Sequence, residues 1–532
     1  MPQSSTLTLD ADVLVLGGGP AGTWAALAAA ETGARVLLAD KGYVGTSGAT
    51  APSNTGAWYL PPDPGRRGAA IAQRWPGTLG LADRAWMERV LDLSWQRIEQ
   101  LAAHGYPFPV DETGRPYRAN LRGPDYMRFM RQLVERAGVR ILDHSPALEL
   151  LADGDGVVGG AAGHHRRSGE GWRVRAGAVV LATGGCAFLS KALGCNVLTG
   201  DGLLMAAEVG AVLSGMEFSS VYGLAPMGSA VTKGLPFFWA SFTDEDGTPL
   251  KDRGDRAATV AGALVEGRPV FATLDKADEA MRGWLRRSQP NCFLPFDRAG
   301  LDPFTQPFPV TLRLEGTVRG TGGIRLAGAD CATGVPGLYV AGDAATREEI
   351  GGANSGAGGP NASWAIATGA LAGQGAARFA RGQAGGERAL RGTGGAGLRS
   401  GGTGQPPVEP NDVVLATQAE VLPLNRNYFR TGARLAVSLG RLDGLWAAVR
   451  DRAPPPGSDP VRAREAAAMV ATARWMYASA RLRTETRGIN RRIDHPTLAP
   501  GLGRRILSGG LDAVWARPDP APHPTLRQDV PA

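Results

Sequence analysis

The sequence predicts an α/β protein carrying an inserted α+β domain and a C-terminal helical domain. Three observations point there. The apolar run Val13–Leu16 enters a glycine-rich turn and then an Ala-rich helical stretch. Two further short apolar runs, Ala178–Ala182 and Gly337–Ala341, read as strands of the same buried sheet. Between those two, residues 226–310 lose the strand–helix rhythm, and beyond residue 410 the periodicity is helical only.

Taken in order, Ala11 to Thr23 predicts a parallel strand running into a turn. Thr23 to Thr32 predicts a helix ended by Gly33, and Arg35 to Ala39 a second strand closing on Asp40. This is one βαβ unit. Residues 60–140 read as mostly helical, with amphipathic stretches at Trp86–Leu101 and Tyr126–Ala137. Strands return at Val139–Leu142 and Ala147–Leu151, and Gly154 to Gly177 reads as a hairpin excursion. The predicted division is 9–225 and 311–381 for the sheet domain, 226–310 for the inserted cap, and 410–500 for the helical domain. Residues 382–409, poor in bulky apolar side chains, predict a flexible linker, and 517–532 a disordered tail.

With 532 residues and 43% hydrophobic content, the chain can bury a large core. A net charge of +7 spread along this length predicts a solvated basic surface rather than a nucleic-acid patch. Cys186, Cys195, Cys292 and Cys331 have no CxxC, zinc or iron–sulfur spacing, so no metal is expected. No apolar stretch approaches 18 residues and the first ten lack leader features, which predicts a cytoplasmic protein without a membrane span.

Gly17-Gly18-Gly19-Pro20-Ala21-Gly22 fits G-x-G-x-x-G between a strand and a helix. Gly17 allows the tight turn, Gly19 lets a pyrophosphate approach the backbone, and Gly22 lets helix and strand pack closely. The helix N-terminus offers N–H donors to phosphate. Asp40, 18 residues after Gly22, stands where a ribose hydroxyl partner is expected. Ala182-Thr183-Gly184-Gly185 ends one later strand, and Gly342-Asp343-Ala344 ends another with an acid. Three segments in this order predict a Rossmann-like domain that binds FAD.

These stretches resemble the flavoprotein subunit family of succinate dehydrogenase, fumarate reductase, aspartate oxidase and adenylylsulfate reductase. So do Thr199-Gly200-Asp201-Gly202, Met216-Glu217-Phe218, Glu485-Thr486-Arg487-Gly488 and Arg491 to Pro496. The resemblance implies FAD contacts at Gly17, Gly19, Ala21, Gly22, Asp40, Lys41, Ser47, Gly48, Ala49, Thr50, Ala147, Thr183, Gly184, Asp201, Gly342, Asp343, Asn361 and Ser363. It also implies a mobile cap over the flavin.

The departures concern the substrate. Gly42 to Asn54 contains no histidine for a covalent tether, so the FAD is expected to be noncovalent. Tyr222 stands at or close to a family histidine, and Leu235 to Phe242 replaces the stretch carrying a proton-donating arginine. Ser355 replaces a carboxylate-gripping arginine, and Val318 to Gly323 lacks a second carboxylate-binding histidine. Without these ligands a dicarboxylate is not expected as substrate. Phe237, Phe238 and Trp239 would suit a larger, less charged molecule, or form cap core. Tyr222, as acid or base, and Arg319 and Arg487, as anion holders, are the catalytic candidates. Packing and ion pairing are their competing roles.

The expected function is an FAD-dependent oxidoreductase moving hydride between a small organic substrate and flavin N5. Two rivals stand beside it. One is a flavoprotein subunit of an electron-transfer complex with a separate iron–sulfur partner. The other is a flavin-binding protein without catalysis.

Overall fold

The computed structural model describes residues 6–52, 54–110, 114–232, 234–355, 359–383, 388–399 and 406–520. Leu7–Leu16 lies in the middle of an eight-stranded mixed sheet. It runs parallel to Val36–Ala39 on one side and to Gly171–Leu181 on the other. Arg140–Leu142 extends the first side, and Leu338–Val340 joins Gly171–Leu181 in parallel. Val13, Leu14, Val15 and Leu16 are all buried, which is why this strand reads as a continuous apolar run. The helices Pro20–Ala30 and Gly359–Gly382 pack together against the sheet. That contact brings the N-terminal end of the long helix toward the glycine turn.

The cap has its own antiparallel sheet, ordered Tyr222–Pro226, Phe308–Leu314, Phe271–Thr273, Ser241–Thr243. Its entry and exit strands pair Tyr222 with Leu314, so both cross the boundaries that sequence assigned to it. Arg256–Val265, Glu279–Ser288 and Pro290–Ala299 close over a separate core containing Val260, Phe293, Phe296 and Phe308. Side-chain contacts tie the cap to its surroundings. Asn291 Nδ2 donates to Pro52 O at 2.6 Å, and Arg491 pairs with Asp255 at 3.0 Å. Asp255 also caps its helix, accepting from Ala258 N–H at 2.7 Å.

Pro410–Val421, Gly432–Asp451 and Pro460–Leu482 make up the C-terminal helical part. Leu435 and Leu442 are buried in the main core, with Leu439 and Leu445 packed at its edge. Two C-terminal strands, Ile506–Gly509 and Trp515–Pro518, join Leu213–Ser214 and Gly323–Ile324 in a small second sheet.

Two expectations are corrected. Residues 388–399, assigned to a flexible linker, are fastened to the sheet domain. Arg391–Gly392 pairs with Ala147–Ala152, Arg399 pairs with Glu149 at 2.7 Å, and Arg464 donates to Ala396 O at 2.8 Å. Backbone pairing and the carboxylates of Glu149, Glu208 and Asp153 hold this segment where bulky side chains do not. The expected tail also starts too early, because Arg517 and Pro518 pair with Leu507 and Ile506. Residues 384–387, 400–405 and 521–532 of those two expectations lie outside the described residues. Among the described residues, no helix is long and apolar enough to cross a membrane, and no acid, Cys or His cluster forms a metal site.

Candidate functional site

The glycine turn is packed too tightly for side chains. A Cβ on Gly17, whose φ is +107°, would lie 2.3 Å from Ala182 O, and one on Gly22 would lie 1.7 Å from Gly17 O. The second contact fuses turn and helix, and the first fuses the turn to the strand end before Thr183. Gly342, at φ +65°, lies against Ala21. Gly48 stacks on Gly19 and Pro20, so the 47–50 loop crosses the turn. The predicted segments 17–22, 47–50, 182–184 and 342–343 therefore converge. The helix Pro20–Ala30 starts with no side-chain cap, leaving first-turn N–H groups for an anion.

Three buried polar atoms argue for a polar ligand in this cradle. Thr183 Oγ1 and both amide atoms of Asn361 have no hydrogen-bond partner. Leaving such an atom unmatched costs about 1–3 kcal/mol. A cofactor rich in hydroxyl and phosphate oxygens would match them, so the residues present fit FAD. Asp40 is buried beside the turn. Its carboxylate accepts from Gly18 N–H at 2.6 Å, Gly42 N–H at 2.8 Å and Ser47 Oγ at 2.5 Å. Ala147 opens the neighbouring strand opposite Gly163. Ala49 packs beside Cys195 and Val318 at the inner end of the loop, and Thr50 and Gly184 are half-buried next to it.

Some expected contacts are committed elsewhere. Lys41 Nζ meets Asp201 at 2.7 Å, Glu465 at 2.7 Å and Thr199 Oγ1 at 2.9 Å. Burial alone would push this amine down, yet Asp201 and Glu465 together carry it above its usual range. Lys41 and Asp201 thus belong to an ion-pair network reaching the C-terminal helix. The Ser363 hydroxyl accepts from Trp58 N–H at 2.8 Å and lies 2.8 Å from Ser94 Oγ. Asp343 pairs with Arg347, whose guanidinium also donates to Val318 O at 2.9 Å and to Gly320 O.

The catalytic candidates separate. The Tyr222 hydroxyl lies 3.0 and 3.1 Å from the carbonyl oxygens of Val421 and Leu422, its ring edge-on to Tyr428. Burial raises it well above its ordinary range. Those contacts match the packing role that competes with its reading as acid or base. Arg487 pairs with Glu485 at 2.5 Å and donates to Leu79 O, so it is an interdomain tie. Phe237 is cap core, Trp239 packs on that core, and Phe238 lies exposed under the Arg256 guanidinium.

Arg319 differs from these. It ends the short helix Gly316–Arg319, and its nearest acid, Glu315, is 3.9 Å away. Among the described residues it makes no hydrogen bond. Glu315 holds it above the usual arginine range against burial, with Cys195 and Asp343 adding to the field. Across the cap boundary, Leu193 N–H donates to Ala230 O at 2.8 Å, and Thr232 Oγ1 donates to Glu315 at 2.8 Å. Arg319 therefore sits where cap, turn loops and the Asp343 segment meet. Sequence reading missed Glu315, Thr232 and Arg347. The spacing of four residues from Glu315 to Arg319 and from Asp343 to Arg347 was the available signal for two of them.

Residues 12–126 and 118–222 match the family model described as FAD binding domain. The L-aspartate oxidase of Streptomyces coelicolor is 29% identical over 405 residues, covering 70% of this chain and 67% of that protein. That of Mycobacterium tuberculosis is 27% identical over 533 residues, covering 94% and 96%. Among solved structures, E. coli quinol fumarate reductase FrdA superposes with a TM-score of 0.80 at 21% identity, covering 97% of this chain and 99% of its own. Adenylylsulfate reductase from Archaeoglobus fulgidus gives 0.76 at 18% identity, covering 98% and 97%. At those identities the two structures show a shared fold, whereas the family model and the oxidase relatives bear on cofactor and chemistry. Residues 12–222 thus form an FAD binding domain, the chain is similar in sequence to L-aspartate oxidases, and it has the fold shared by fumarate reductase and adenylylsulfate reductase.

Proposed function

We propose that this protein transfers hydride between a small organic substrate, other than succinate or fumarate, and a noncovalently held FAD. The observation that carries the reading is Arg319, a part-buried arginine next to the cap exit whose guanidinium has no hydrogen bond among the described residues. It lies in the field of the Asp343 segment. Gly17, Gly19, Ala21, Gly22, Asp40, Ser47, Gly48, Ala49, Thr50, Thr183, Gly184, Gly342, Asp343 and Asn361 line or brace the cradle that would hold the cofactor. Bound FAD supplies N5 as hydride acceptor or donor. The protein's part is to orient the substrate by Arg319 and to exclude water under the cap. Scattered cysteines carry no iron–sulfur spacing. Electrons therefore pass to dioxygen, a diffusible carrier or a separate protein.

The test has two stages. Acid precipitation should release all flavin colour to the supernatant, and colour in the pellet would refute noncovalent binding. Anaerobic screens of organic acids, amines and alcohols should then find a compound that bleaches the flavin. Arg319→Gln should slow that bleaching by about a hundredfold, the range seen when one transition-state donor is removed. An unchanged rate would remove Arg319 from the site.

A further inference from the structure

The chain leaves the cap at Glu315 in a fixed manner. Glu315 follows Phe308–Leu314 directly, its N–H donates to Val221 O at 2.8 Å, and its carbonyl accepts from Val318 N–H at 3.2 Å. The second bond opens the turn that ends in Arg319. With the backbone held, the carboxylate is what faces the cap. It is only 4% exposed, and Oε1 accepts from Thr232 Oγ1 at 2.8 Å while lying 3.9 Å from Arg319 Nε. The approach is close enough to exclude a side chain at Gly223. A Cβ there would lie 2.8 Å from Thr232 Cβ and 3.1 Å from Glu315 Oε2. A cap residue, Thr232, and Arg319 beyond the cap exit thus meet at one buried carboxylate, that of Glu315.

We propose that Glu315 is a positioning residue that senses the cap, and that the arginine it orients selects a substrate with a single carboxylate. This rests on the reading of Arg319 as the substrate anchor. Glu315 takes the Nε side of the guanidinium, which leaves the two terminal nitrogens for one planar anion. Arg325 and Arg487 are turned to Asp519 and Glu485, so a second carboxylate finds no matching cation from them. When Thr232 docks, Glu315 is held and Arg319 is aimed. When the cap lifts, the carboxylate loses that hydroxyl, and its hold on the arginine changes with it.

The experiment uses the FAD-loaded full chain, with benzoate and malonate as probes, read by perturbation of the flavin absorbance band. Benzoate should bind wild type more tightly than malonate. Arg319→Gln should weaken benzoate about tenfold or more, the effect of losing one charge-assisted pair. Thr232→Val and Glu315→Gln should each weaken it several-fold. Their double variant should be no worse than the weaker single, because both remove one coupled unit. Thr232→Ser should restore wild-type affinity. Wild-type affinity in Thr232→Val and Glu315→Gln, or full additivity, overturns the sensing role while leaving Arg319 as anchor. Unchanged binding in Arg319→Gln overturns the anchor itself. Malonate binding as tightly as benzoate, or no response to either acid, overturns the single-carboxylate assignment. Thr232→Val lies on the cap and keeps the test readable if Glu315→Gln fails to fold.

Discussion

Arginine is used in two ways in this molecule, and the contrast separates structure from chemistry. In the C-terminal part, guanidinium groups are saturated. Arg483 is fully buried and meets Glu217 at 2.7 Å, Glu485 at 2.9 Å, and the carbonyls of Leu502 and Arg504. Arg430 donates to Asn427, Asn490 and Glu217 O, and burial pulls it down to about 10. Under the cap, Arg319 has one acid at 3.9 Å and no hydrogen bond among the described residues. A saturated arginine joins domains, whereas an unsaturated one beside a cofactor cradle remains able to bind something else.

The largest test of that contrast is Arg483→Ala. It would leave the Glu217 and Glu485 carboxylates, both without exposed surface, facing each other without their shared cation. Breaking a buried pair in this way costs about 3–5 kcal/mol. Arg319→Ala should cost clearly less, since among the described residues its one ion pair is 3.9 Å long and carries no hydrogen bond. Urea unfolding of the two variants compares them directly. Equal losses would erase the distinction drawn between the two regions.

A middle-sized effect is expected at Glu348, an acid that the arginine network does not fully satisfy. Ser214 and Thr346 hydroxyls bond one oxygen, and the other has no partner. Arg505, the nearby cation, pairs with Glu349. Burial raises Glu348 from its ordinary 4.5 to about 7, Arg505 and Arg483 oppose that, and Glu217 adds to it. The sign follows from linkage. Below pH 4.5 the carboxyl is neutral in both folded and unfolded chains, and as pH rises toward 7 the unfolded chain ionises first, so stability falls. Glu348→Gln should therefore stabilise the protein by about 1–3 kcal/mol at pH 8 and by almost nothing near pH 4.5. A gain independent of pH would mean that the folded carboxyl is not raised.

The two regions also differ in how far they could be read from sequence. The turn at Gly17 to Gly22 is dictated by backbone contacts that no side chain survives, so its residue types announce it. Asp40 follows from strand length, and Thr183 and Asp343 from their places after strands. The cleft is different, because its geometry depends on which long side chains meet across the cap boundary. Lys41 follows an acid at a cofactor site, yet its partner Glu465 is 424 positions away on another domain. Tyr222 stands near the position of a family histidine, but its register with Leu314 turns the hydroxyl toward the C-terminal helices. The segment 388–399 looks like a linker by composition, and it is held by backbone pairing that composition does not reveal.

Tyr222 supplies the smallest and cleanest of these tests. Its hydroxyl shares one proton between two carbonyls at the end of Pro410–Val421, with burial on every side. Tyr222→Phe removes that bond without opening a cavity, and should cost about 1 kcal/mol, the usual net worth of a neutral hydrogen bond. If Tyr222 only packs the cap's base strand against the helical domain, flavin bleaching by any substrate found should keep its rate within about twofold and its pH profile unchanged. Loss of one limb of that profile, with stability unaltered, would restore Tyr222 as the acid or base. It would also move the reacting centre away from Arg319, toward the C-terminal side of the cap.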